Sequence, residues 1–319
     1  MKNSTTINHG VRGLKGLSGI TGILLILFVV GFFGCSTVDK TTRKIARDLS
    51  TSSGPLKIRM ALLPLTNKTV LNGEALETAF QKPLSSAILR KCSAVLLETG
   101  KDLLGSDKTL AAPRKASEPI DIFSLSEAGR RQGFNAIASI SIESIGTRIE
   151  ERGILWLKGD RYLLQAHADA EVFDTFTGTK ILSKDFYFET QVDEVTYEQI
   201  RSVKSAEAPP IRQALLQIAE EMSGAICEAV DDLPWRGYVA SVKEDTVFLS
   251  SGKREGLKIG TLLTVFERGP IVQGIGGQRF IFPGKPVGQI KIMNLDSNTS
   301  TARIISGGPF VEGNSVGID

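Results

Sequence analysis

Between residues 57 and 232, the apolar positions of the chain follow two different periods. Residues 57–65 are apolar on both faces, which is typical of a buried strand, and residues 160–190 alternate, which predicts a long antiparallel hairpin. Over 76–92 and over 211–230, apolar side chains recur every three or four positions, which predicts two helices. The order of strands and helices favours an α+β fold, in which a mixed β-sheet has helices packed against it.

After Pro234 the pattern changes to short alternating segments separated by glycine. Residues 235–319 hold 14 of the 32 glycines of the chain, well above their share by length. Short, evenly spaced strands with glycine turns are typical of a small all-β barrel. We therefore predict an α/β domain over 56–232 and a small β-domain over 235–319, each able to fold alone.

The N-terminus has the layout of a secretory signal. Lys2, Arg12 and Lys15 are the only charges before an apolar segment over 17–34, and Cys35 follows directly. This arrangement resembles the lipobox of bacterial lipoproteins, which implies cleavage before Cys35 and a diacylglycerol on its thiol, with palmitate as an attached fatty acid. The alternative is an uncleaved transmembrane helix, because eighteen apolar or small residues are just enough to span a bilayer.

Polar residues then connect the lipid site to the fold. The predicted order is a signal peptide over 1–34, a lipidated tether over 35–55 and the two domains described above. Ser36, rather than an aspartate, follows the cysteine, which resembles outer-membrane sorting in enteric bacteria. We expect a lipid-anchored protein on the outer membrane that faces the periplasm.

Charge and composition argue against several function classes. The chain has 38 basic and 35 acidic residues, and residues 1–34 hold three basic and no acidic residues, so the remainder is balanced at 35 of each. Nucleic-acid partners call for a basic surface, so we expect none. His167 is the one histidine outside the predicted signal peptide, and no set of histidines and cysteines has the spacing of metal ligands. We therefore predict no catalytic residue, no metal site and no cofactor.

Four further features have structural interpretations. Asp169, Glu171 and Asp174 are interpreted as solvated charges of a strand and a turn rather than as a catalytic cluster. Trp235 is expected to pack between the two domains. Gly274–Gly277 is interpreted as the tip of a hairpin, since no strand-to-helix context supports a phosphate loop. Lys253 and Arg254 are expected on an exposed turn of the barrel.

Two cysteines remain, Cys92 and Cys227, and two interpretations stay open. They could pair in an oxidising compartment. Each also falls on or beside the apolar side of a predicted helix, and this placement favours buried free thiols.

Several segments resemble known envelope proteins. RMALLPLTNKT, GFNAIASISIES and EVFDTFTGTKILS, with Asp174, Thr177 and Gly178 in its turn, are similar to the α/β domain of the curli-export lipoprotein CsgG, the N-terminal domain of TolB and the middle domain of the flagellar-ring protein FlgT. GKREGLKIGTLLTV resembles the C-terminal β-domain of FlgT. The resemblance implies a non-enzymatic envelope lipoprotein that scaffolds a periplasmic assembly, with envelope proteins or further copies of the chain as partners.

Two alternative functions follow from the same resemblance. A CsgG-like secretion channel subunit would need membrane-crossing hairpins, and we expect the loops over 146–160 and 190–208 to be too short and too charged for that. A lipoprotein regulator of a cell-wall synthase would share a similar α/β domain, but the predicted C-terminal barrel argues against it.

Overall fold

The computed structural model describes residues 56–100, 103–104, 121–153, 159–202, 206 and 208–318. The predicted signal peptide, Cys35 and the tether lie outside the described residues. The described residues belong to one compact unit. Among them, no helix is both long enough and apolar enough to cross a membrane.

The first part of the unit is a mixed sheet with helices on its faces. Its strands are β1 (Ile58–Leu62), β2 (Thr66–Asn67), β3 (Val95–Thr99), β4 (Ala136–Arg152), β5 (Gly159–Asp174) and β6 (Thr179–Val192). Its helices are α1 (Gly73–Leu76), α2 (Lys82–Lys91), α3 (Ile122–Arg131), α4 (Glu194–Ser202) and α5 (Pro209–Asp231), with a π-helical turn (Glu77–Gln81) before α2. The sheet order is β3-β1-β4-β5-β6, and β2 pairs with β4. Strand β1 is parallel to β3 and β4, whereas β4, β5 and β6 are antiparallel, which confirms the predicted mixed sheet.

Two apolar layers hold the sheet. On one face α1, the π-helical turn, α2 and α5 cover the strands, and the buried side chains of α5 include Leu215, Met222 and Ile226. Burying a side chain of this size contributes about 1.5–3 kcal/mol. On the other face α3 covers one end, where Phe134 and Phe173 lie in a smaller apolar cluster. Strand β1 is buried on both faces, as its sequence predicts.

The π-helical turn explains how a proline fits into the predicted helix of residues 76–92. Pro83 lies in the first turn of α2 and cannot donate a backbone hydrogen bond to the turn before it. The wider turn over Glu77–Gln81 directly precedes it, and single π-turns of this kind occur as interruptions within α-helices. The helical stripe is therefore continuous in space although the helix changes type.

The structure corrects both predicted loops of the α/β part. Strand β4 continues to Arg152, so half of the predicted loop over 146–160 is strand, and its Thr147 and Ile149 pair with Leu164 and Tyr162 of β5. The apolar pattern of the sequence does not predict this extension, because several of its side chains are charged. Backbone pairing between strands does not require apolar side chains. The second predicted loop, over 190–208, contains helix α4. The ring centre of Tyr197 on this helix lies 4.8 Å from that of Tyr162.

The second part of the unit is all β. Its strands are β7 (Gly237–Lys243), β8 (Thr246–Leu249), β9 (Leu262–Phe266), β10 (Ile271–Gln273), β11 (Arg279–Ile281), β12 (Pro286–Leu295), β13 (Ser300–Gly307) and β14 (Ser315–Gly317). Six of them close a barrel in the order β12-β13-β8-β7-β14-β9, which confirms the predicted barrel. Strands β10 and β11 form a separate hairpin whose turn is Gly274–Gly277, also as predicted.

Contacts join the α/β part to the barrel. Trp235, between α5 and β7, is buried, and its Nε1 donates to Glu255 Oε2 at 3.1 Å. Glu255 belongs to a short 3-10 helix (Lys253–Glu255), and its carbonyl accepts from the backbone N–H of Lys57 at 2.9 Å. Helix α5 ends at Asp231 and β7 begins at Gly237, so the predicted domain boundary falls between elements. Whether each part folds alone stays a prediction.

A second group of contacts surrounds Arg59 of β1. Its Nη1 donates to the carbonyls of Gln132 and of Ser250 at 3.0 and 3.3 Å, and its Nε lies 3.2 Å from Glu98. Lys253 and Arg254 are exposed on the short 3-10 helix, as expected. The Arg254 guanidinium also lies 3.3 Å from Glu98, so it connects the barrel part to β3.

The cysteines form a disulfide, so the favoured interpretation as free thiols was wrong. Cys92 follows the last residue of α2 and Cys227 lies on α5, with their Cα atoms 5.4 Å apart. The two helices pack side by side, and Arg90 lies 2.6 Å from Glu220 of α5. The apolar placement that suggested buried thiols is therefore the same placement that brings both sulfurs together.

Candidate functional site

Among the described residues, the strongest candidate for a functional site lies on the polar face of β4, β5 and β6. One side of β5 buries Ala166, Ala168, Ala170 and Val172 in the main core. The opposite side presents four half-buried polar residues, Gln165, His167, Asp169 and Glu171. Helix α3 packs near Phe173, at one end of this face, so the middle of the face stays accessible.

Strand register brings two of these polar side chains together with a third from β6. Asp169 pairs with Asp185 of β6 and with Ser141 of β4, and His167 lies on the same face of β5 as Asp169. One donor atom from each of His167, Asp169 and Asp185 lies within 4.8 Å of the others. We call these three residues the outer-face cluster.

A third acidic side chain, that of Glu143 on β4, approaches the cluster. The pairing of β4 with β5 shifts between Ile142 and Ser144, which places Glu143 at a β-bulge. Bulges re-aim side chains and are common beside functional sites. Lys68 lies 2.6 Å from Glu143, and the Ser141 hydroxyl also donates to it.

The central carboxylate of the cluster is poorly compensated. Asp169 Oδ1 is buried from solvent and accepts no well-oriented hydrogen bond from the described residues, although His167 Nε2 lies 3.3 Å away. Burial raises the pKa of Asp169 to about 7, and the neighbouring carboxyl groups of Glu143 and Asp185 act in the same direction. Burial also opposes ionisation of Glu143, but hydrogen bonds from Lys68 and Ser141 lower the pKa of that carboxyl overall. The negative charge of this face is thus least stabilised at Asp169.

The other acidic residues that the sequence singled out lie apart from the cluster. Glu171 forms an ion pair with Lys180 and fits the predicted solvated role. Asp174 does not, because it is buried and its carboxylate accepts from the backbone N–H groups of Phe176 and Thr177 at 2.9 and 3.2 Å. It stabilises the turn between β5 and β6, so the prediction of a solvated charge at Asp174 was wrong.

A second candidate surface is the β10–β11 hairpin, where the consecutive residues Ile271 and Val272 project from opposite faces. Ile271, Val272, Ile275 and Phe282 are large apolar side chains on or beside it, and all are exposed; Ile275 at the tip is fully so. We call these four residues the apolar hairpin surface. Strand β11 of the hairpin is fixed to the α/β part, because the backbone N–H of Ile281 donates to the Thr177 carbonyl at 2.9 Å and the Arg279 guanidinium lies 4.1 Å from the Phe123 ring centre.

Comparison with known proteins gives only distant similarities. No family model matches the chain. No curated protein sequence matches it either.

Among solved structures, the similar chains include two that are named as lipoproteins. The lipoprotein GNA1162 from Neisseria meningitidis is 14% identical, with a TM-score of 0.29 over 46% of this chain and 93% of its own. The PelC dodecamer from Paraburkholderia phytofirmans is 15% identical, with a TM-score of 0.26 over 54% of this chain and 94% of its own. TolB from Acinetobacter baumannii is 11% identical, with a TM-score of 0.27 over 77% of this chain and 57% of its own. These similarities are too weak to transfer a fold or a function to this chain.

Proposed function

We propose that this protein is a non-enzymatic lipoprotein of the bacterial outer membrane that scaffolds a periplasmic assembly, related to flagellar rings or to secretion. The lipid on Cys35 anchors it, and its CsgG- and FlgT-like parts form a body that binds envelope proteins or further copies of itself. The observation on which the scaffold role rests is the apolar hairpin surface.

The apolar hairpin surface has the properties of a binding element. Four large apolar side chains lie close in sequence on a two-stranded sheet that pairs with no barrel strand among the described residues. Clustered exposed apolar groups mark interaction sites, whereas isolated ones need no explanation. Contacts of Arg279 and Ile281 with the α/β part hold strand β11 in place, so less conformational entropy is lost when a partner binds.

The Cys92–Cys227 disulfide supports a location outside the cytoplasm. Disulfides persist in oxidising compartments such as the periplasm and are rare in the reducing cytosol. Together with the signal-like segment before Cys35, it favours export across the inner membrane.

Lipidation should depend on Cys35 alone. We expect metabolic labelling with an alkyne fatty acid to mark the wild type and to leave Cys35→Ser unlabelled, with the label in the outer-membrane fraction. The matched control is Cys92→Ser/Cys227→Ser, which keeps Cys35 and should label like the wild type. Equal labelling of wild type and Cys35→Ser would contradict the anchor.

The scaffold role predicts a partner at the tip of the hairpin. A photo-crosslinking amino acid at Ile275 should give, in living cells, a discrete adduct with an envelope protein or with a second copy of the chain. The control position is Val195 on α4, which is also exposed and apolar but lies outside the hairpin. No adduct at Ile275, or the same adducts at both positions, would contradict a role for the apolar hairpin surface.

A further inference from the structure

We propose that the outer-face cluster binds one divalent transition-metal ion of the Zn²⁺ class through His167 Nε2, one oxygen of Asp169 and one oxygen of Asp185. This inference is independent of the scaffold function. It departs from the expectation of no metal site, which considered only the spacing of histidines and cysteines along the chain.

The geometry of the cluster suits a small cation. A tetrahedral ion with bonds of about 2.0–2.2 Å separates its ligand atoms by about 3.4 Å. His167 Nε2 and Asp169 Oδ1 are already 3.3 Å apart. All three donor atoms lie within 4.8 Å of one another, and the carboxyl groups of Asp169 and Asp185 are close enough to interact. A bound ion would draw these three atoms together to the separation of about 3.4 Å that a tetrahedral site requires.

The charge distribution on this face also calls for a cation. Glu171 has Lys180 as its partner, and Glu143 has Lys68. Within the described part of the chain, neither Asp169 nor Asp185 has a lysine or arginine partner. Asp169 Oδ1 in addition accepts no well-oriented hydrogen bond from the described residues, although it is buried. A metal ion would compensate both carboxylates and satisfy this oxygen.

The donor set restricts the choice of ion. Imidazole nitrogen favours zinc, nickel, copper or iron over calcium and magnesium, and the two carboxylates are compatible with these transition metals. Three protein ligands leave at least one coordination position open to water or to a further donor. Glu143, held by Lys68 and Ser141 beside Asp169, is placed to orient that ligand from outside the coordination sphere.

The test uses the full chain, purified in detergent without a histidine tag and titrated with ZnCl₂. We expect calorimetry to give one saturable site per chain at micromolar metal. Of the two histidines of the chain, His9 lies in the predicted signal peptide, so the imidazole proton signals are few, and we expect those of His167 to shift on Zn²⁺ addition. His167→Ala and Asp185→Asn should each weaken Zn²⁺ binding at least about tenfold.

The matched control is Glu171→Gln, a change on the same strand and the same face, outside the cluster. It should bind Zn²⁺ like the wild type. Asp185 is exposed, so Asp185→Asn should keep the wild-type circular dichroism spectrum and melting temperature. The proposal is overturned if the wild type has no saturable site, if His167→Ala and Asp185→Asn bind like the wild type, or if the His167 signals do not move.

Discussion

Loss of the Cys92–Cys227 disulfide should lower the free energy of unfolding by about 3–5 kcal/mol, since a cross-link restricts the unfolded chain more when the loop it closes is longer. Here the two cysteines are 135 residues apart. The loop encloses β3, α3, β4, β5, β6 and α4, which is most of the sheet. Without the cross-link, the packing of α2 against α5 depends on contacts between the two helices, such as Arg90–Glu220.

The measurement compares urea unfolding of the wild type with and without a phosphine reductant, and of the Cys92→Ala/Cys227→Ala variant. We expect the reduced protein and the variant to share a lower urea midpoint. Cys35→Ser, which retains both paired cysteines, should unfold like the oxidised wild type. If the oxidised and reduced wild type unfold at the same midpoint, or if the denatured, unreduced chain titrates with free thiols at both positions, the cross-link does not stabilise the fold.

Local periodicity predicts much of this fold because each element buries one face. The stripe over 211–230 corresponds to α5, and the alternation over 160–190 corresponds to the β5–β6 hairpin. The glycine-punctuated strands after Pro234 indicate a barrel for the same reason. The closing order β12-β13-β8-β7-β14-β9 could not be predicted, since it depends on pairing between strands distant in sequence.

Only part of the candidate site could be predicted from the sequence. Alternation predicts that His167 and Asp169 share one face of β5, but it does not give the register of the neighbouring strands. That register places Asp185 opposite Asp169, and the bulge at Glu143 shifts the pairing of β4. The disulfide was uncertain for a similar reason, because Cys92 and Cys227 meet only through the packing of α2 against α5.

Glu255 should make the stability of the protein fall as the pH rises from about 4.5 to about 7. Burial between the α/β part and the barrel raises the pKa of its carboxyl from 4.5 to about 7, against the hydrogen bond from Trp235. The folded state therefore binds this proton more tightly than the unfolded state does. The contribution of the Glu255 proton to the free energy of unfolding is complete below pH 4.5, decreases as the pH rises, and is lost above pH 7. At 1.36 kcal/mol per pKa unit, the change is on the order of 3 kcal/mol.

Glu255→Gln removes the titrating group but keeps an oxygen that can accept from Trp235 Nε1. Asp169 titrates in the same direction, so the informative quantity is the difference in unfolding free energy between wild type and variant, measured with urea from pH 4.5 to pH 8. We expect Glu255→Gln to gain stability relative to the wild type across this range. Glu312→Gln changes an exposed position of the barrel part, so its unfolding free energy should vary with pH as that of the wild type does. A constant difference between Glu255→Gln and wild type would mean that Glu255 stays ionised at the junction. A growing difference would mean that its proton helps to hold the α/β part and the barrel together.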